Sequence, residues 1–64
     1  MDPSLIEIIT TAVRTSRRAG LSAGEQRDAA QAVLVAMVPS LAPAIAQLIV
    51  DQLYPFVPEA EIAA

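Results

Sequence analysis

The sequence predicts an all-α chain of three short helices, and three observations carry that reading. Apolar residues recur at helical spacing over residues 5–19, Ser-x-x-Glu signatures stand at Ser4–Glu7 and Ser22–Glu25, and every proline falls near the end of a segment so marked. The expected helices cover about 3–19, 23–38 and 40–54, the first two antiparallel and the last two joined by a corner or kink at Pro39. Residues 1–54 form a single helical domain in this reading, and 55–64 a proline-punctuated tail.

In the first segment Leu5, Ile6, Ile8, Ile9, Ala12, Val13 and Ala19 share one arc of a helical wheel, and Glu7, Thr10, Thr11, Arg14, Thr15, Arg17 and Arg18 fill the other. That separation marks an amphipathic helix with one buried face. Its start is set either by Asp2 capping with Pro3 at the first helical position or by a Ser4–Glu7 capping box. Gly20 is expected to stop it in the left-handed conformation. Arg14, Arg17 and Arg18 then lie in the last turns, where cations offset the helix dipole.

The link Gly20-Leu21-Ser22 is short, so helices one and two are expected to be antiparallel neighbours. Glu25 and Asp28 open the second helix close to where the arginines close the first, so local charge pairing is the expected use of that basic cluster. Beyond Gln31 the second helix carries no polar side chain to Val38, and Val33, Leu34, Val35, Met37 and Val38 face all sides of the axis. A helix apolar all round is buried all round. Three short helices can scarcely enclose one of their own members, so the pattern implies a partner.

Pro39 ends the second helix because it lacks an N–H and clashes with the preceding turn. Ser40 is read as the cap of the third helix, with Pro43 in its first turn. Ser40, Gln47, Asp51 and Tyr54 give that helix a narrow polar stripe. With so few residues between helices two and three, a bent corner or a kinked rod is expected rather than a tight antiparallel return. Phe56 and Val57, between Pro55 and Pro58, read as an extended apolar segment.

Size sharpens the partner argument. A chain of 64 residues, 55% of them apolar, buries only about 60% of the surface its unfolded form exposes. Small domains gain stability from disulfides, metals or association. The chain has neither Cys nor His, which removes disulfides and the commonest zinc ligands. Association remains.

The formal charge of −3, with all four basic residues Arg, argues against nucleic acid, where phosphate neutralisation supplies most of the affinity. The stretch Arg18–Ser22 has a faint likeness to the turn of a helix-turn-helix, but the helix after it opens on Glu25, Gln26, Arg27 and Asp28, without the positive charge a DNA reader needs. No phosphate-binding loop, nucleophile–base pair or metal-ligand spacing occurs, and the carboxylates sit mostly at helix starts or in the tail. Asp51 and Tyr54 share a face but have no partner base. No catalytic residue, cofactor or metal is expected, and the chain is read as no enzyme. Met1-Asp2-Pro3-Ser4 is not the basic-then-apolar start of a signal peptide.

Two burial media compete. Residues 29–50 carry no charge and are long enough to span a bilayer. All four arginines precede them, which would place the N-terminus inside. Pro39, Ser40 and Pro43 near mid-span, with Gln31 and Gln47, oppose that alternative. The favoured reading is a small structural or assembly subunit acting through protein–protein contacts, as a homo-oligomer or as an accessory of a larger complex. In size and composition it is similar to minor virion or coat components, an analogy without a shared motif. The expected contact residues are Val33, Leu34, Val35, Met37, Val38, Ile45, Ile49 and Phe56.

Overall fold

The computed structural model describes residues 4–57. They form three α-helices, α1 (Leu5–Arg18), α2 (Ala23–Met37) and α3 (Pro43–Leu53), followed by one 3₁₀ turn over Tyr54–Phe56, with no strand among the described residues. α1 and α2 form an antiparallel hairpin, α3 packs on α2, and α1 touches α3 only lightly.

Each helix start has a local cause. Ser4 caps α1, its Oγ accepting from the Glu7 N–H at 3.2 Å; Asp2 and Pro3, the alternative start, lie outside the described residues. Ser22 and Glu25 form the full reciprocal box at α2: the Glu25 N–H donates to Ser22 Oγ, and the Ser22 N–H donates to Glu25 Oε1 at 2.9 Å. The third start differs from expectation. Ser40 lies in a turn, and Ala42 stands at the cap with no side-chain hydrogen bond. Proline forces the residue before it out of the helical region, and Ala42 is extended at φ −65°, ψ 141°. The helix therefore begins at Pro43.

α1 ends as expected. Gly20 takes φ +83°, its N–H donates to the Arg17 carbonyl at 3.0 Å, and the Leu21 N–H donates to the Ser16 carbonyl at 3.1 Å. These two bonds are the Schellman arrangement, which satisfies carbonyls the helix end would otherwise orphan.

Because Pro43 delays α3, the chain has Val38–Ala42 in which to turn. The Leu41 N–H donates to the Val38 carbonyl at 2.9 Å, a turn with Pro39 at its second position, where its fixed φ is already suitable. The corner at Pro39 forms, and α3 then runs back along α2. Gln31 Nε2 donates to the Pro43 carbonyl at 3.1 Å, and Tyr54 Oη donates to Gln26 Oε1 at 2.7 Å. These pairings fix opposite senses for the two helices. The kinked rod is not formed, and the antiparallel return that the short link argued against is made, because Pro43 leaves five residues for the turn.

The core comprises Ile8, Ile9, Ala12 and Val13 from α1, Ala30 and Leu34 from α2, Ala46 and Val50 from α3, and Val57 beyond them. The α1 arc shifts slightly from the sequence reading. Leu5, Ile6 and Ala19 are exposed, while Ser16 is buried with its hydroxyl donating to the Ala12 carbonyl at 2.8 Å. Val57, assigned by sequence to the tail, closes the core instead; Pro58–Ala64 lie outside the described residues. The chain exposes 4278 Å², close to the roughly 3,900 Å² expected of a folded monomer of its mass. The excess is small, and it is on the side of more surface left in water than a monomer of this mass usually leaves.

Glu25 gives a pH prediction. Its bonds to the Ser22 backbone and hydroxyl hold its carboxyl below the ordinary value of 4.5. A depressed folded pKa contributes stability that is fully present above the unfolded value and lost as pH falls through the folded one. The first turn of α2 should therefore loosen on acidification below that ordinary value. Glutamine at the same position keeps a capping acceptor, its amide oxygen, without titrating, so Glu25→Gln should flatten the acid limb of a helicity titration by circular dichroism. An unchanged acid limb would show that the box is not what the acid breaks.

Candidate functional site

The eight expected contact residues separate into three groups. Leu34 is fully buried and belongs to the chain's own core, not to an outward surface. Val35, Val38 and Ile49 are half-buried and pack against that core. Val33, Met37, Ile45 and Phe56 face outward, with Met37 53% and Phe56 74% exposed. Only part of the apolar half of α2 is covered: α1 lies on one flank and α3 on another with Leu34 between them, while Val33 and Met37 stay outside both. Because Val35 packs against the core, a charge there, as in Val35→Asp, would disturb the fold itself and could not test an outer contact.

The structure does not gather the four outward residues into one patch. Ile45 stands with Leu48 on α3, away from the core, and Phe56 lies in the 3₁₀ turn. Val33 and Met37, one turn apart on α2, form one wall of an open groove of about 460 Å³ between α1 and α2. Ile8, Thr11, Ala12, Thr15 and Ser16 form the opposite wall, Ala29 lies beyond Val33, and Glu7 stands at one end. Since the two helices are antiparallel, Glu7, Ile8 and Met37 share one end, and Thr15, Ser16 and Ala29 the other. A shallower hollow lined by Thr11, Arg14, Thr15 and Arg18 adjoins it through its two threonines, which puts guanidiniums along the Thr15 end.

Sequence reasoning missed the α1 wall. Thr11 and Thr15 read as solvent-facing, but a threonine also presents a methyl group, and beside small residues on a neighbouring helix it borders a trough. The available signal was the run of small side chains, Ala12, Ser16 and Ala29, at positions that must face each other in an antiparallel pair.

It also missed a polar hub. Gln26 is buried at 8% exposure. Its Nε2 donates to the Leu21 carbonyl at 2.9 Å, and its Oε1 accepts from Arg17 Nε at 3.1 Å as well as from Tyr54 Oη. The Arg17 and Arg27 guanidiniums lie 5.7 and 5.5 Å from the Tyr54 ring centroid, within cation–π range. One amide thus ties the α1–α2 turn to the end of α3. No buried side-chain nitrogen or oxygen among the described residues lacks a hydrogen-bond partner. The hub is structural chemistry: every polar group in it is engaged by another.

Among the described residues no cluster of three or more potential ligands could hold a metal. A second hollow, between α2 and α3, is polar, with Arg27, Asp28, Gln31, Gln47 and Asp51 around it. The stretch 29–50, weighed above as a bilayer span, is divided between two helices folded back on each other, and no helix among the described residues is long and apolar enough to cross a membrane. No protein-family model, curated protein or solved structure matches the chain.

Proposed function

We propose that this chain is a non-catalytic helical interaction module that works through protein–protein contacts, either with its own copies or as an accessory piece of a larger assembly. The single observation behind this reading is the α1–α2 groove, where Val33 and Met37 stand in water beside the small side chains of the facing wall. Isolated exposed apolar residues are ordinary, whereas contiguous ones rimmed by polar groups mark contact surfaces. Ile45 and Leu48 on α3 offer a second, smaller contact. A structural or coat-type role is one form such a module takes.

The test is a photo-crosslinking amino acid at position 33 in the full chain, expressed in the cells that make it, with position 52 as a control on the opposite helix. Protein adducts from position 33 and few from position 52 are the expected result. Lipid adducts from position 33, or no adducts at all, would overturn the reading.

A further inference from the structure

We propose that the occupant of the α1–α2 groove is a second copy of this chain, docked antiparallel about a two-fold axis through the middle of the groove. The inference rests on the interaction-module reading and adds the partner and its orientation.

Shape is the first argument. The groove has a knob at one end and a hole at the other. Met37, 53% exposed, projects at the Glu7 end. At the far end the walls are Thr15, Ser16 and Ala29, all small. A two-fold axis between the ends carries each Met37 onto the partner's small-walled end, so the same patch fits itself, as a closed dimer requires. Methionine suits the knob because its unbranched, polarisable chain fills irregular gaps.

Charge is the second argument, and it selects the same orientation. Glu7 stands at the Met37 end, and Arg14 and Arg18 edge the Thr15 end. The antiparallel dimer brings each carboxylate toward the other chain's guanidiniums. A parallel pairing would lay each α1 over the partner's α2 and set Glu7 against the uncharged Met37 end instead. Area sets the extent: a standard interface buries about 800 Å² per partner, about a fifth of the 4278 Å² this chain exposes. The contact must therefore take in the charged margins of α1 as well as the groove.

Sedimentation equilibrium of the purified full chain, from micromolar to millimolar concentration, should show a monomer–dimer equilibrium. Met37→Asp places a charge in the contact and Ala29→Arg fills the hole; each should weaken dimerisation about a hundredfold while circular dichroism shows unchanged helicity. Two variants at either position give one folded reporter should the other fail to fold. The decisive arm is a charge exchange. Glu7→Arg alone and Arg14→Glu with Arg18→Glu should each lose the homodimer, and an equimolar mixture should regain a heterodimer. A chain that stays monomeric at millimolar concentration, a dimer indifferent to Met37→Asp and Ala29→Arg, or a mixture that does not associate would each overturn the proposal. A monomeric chain whose position-33 probe still captures a different protein would sink the dimer and leave the interaction-module reading standing.

Discussion

Leu34→Ala should cost about 2–5 kcal/mol, the usual range when a fully buried leucine is cut back and its cavity only partly collapses. Leu34 is 0% exposed and lies among Ile9, Val13, Ala30, Ala46 and Val50. The small neighbours Ala30 and Ala46 have little side chain with which to refill the space. Domains of this size are stable by about 3–10 kcal/mol in total, so this one substitution should remove a large part of the fold. Urea denaturation at low protein concentration, followed by circular dichroism, measures it. The sequence reading placed Leu34 on an outer contact, where the same change would leave the monomer's midpoint in place and alter only association. A midpoint shift corresponding to less than about 1 kcal/mol would revive that placement.

Gln26→Leu should destabilise the chain by about 1–3 kcal/mol. The substitution keeps most of the side chain's bulk, so packing is little changed, but three polar groups lose their partner at once: the Leu21 carbonyl, the Arg17 Nε–H and the Tyr54 hydroxyl. The three bonds are part-buried, so water replaces the lost amide only in part and the cost exceeds that of a single hydrogen bond. Tyr54→Phe removes one member of the same network and should cost only about 0.5–1.5 kcal/mol. Combined, the two changes should be less than additive, since the second then removes a hydroxyl already stripped of its acceptor. Additive effects would show that the hub is three separate contacts.

Much of this architecture was legible from local rules. The Ser22–Glu25 box, the Ser4 cap and the Gly20 stop are decided by residues within a few positions of one another, and each forms. Ser40 failed as a cap because a stronger local rule, the effect of Pro43 on Ala42, overrode a weaker one. The course of α3 after the corner was less legible. It depends on Gln31 and Gln26 meeting partners 12 and 28 positions away, and no window of sequence shows that. The contact residues divided for the same reason. Periodicity tells that Leu34 and Met37 are both apolar; only the positions of α1 and α3 decide that Leu34 is enclosed and Met37 stands outside. Gln26 was the instructive miss. A lone amide at an inward-facing position looks like a defect in a helix face, and becomes a hub once Arg17, Leu21 and Tyr54 converge on it.

The order in which the helices pack has a kinetic consequence. α1 lies on α2 and α2 on α3, so each element finds its main neighbour directly before or after it in the chain. Topologies dominated by such near-sequence contacts have low contact order and close only small loops on the way to the native state, which places their folding in the microsecond-to-millisecond range. Each hairpin closes over a link of a few residues, so neither has to wait for the other to form.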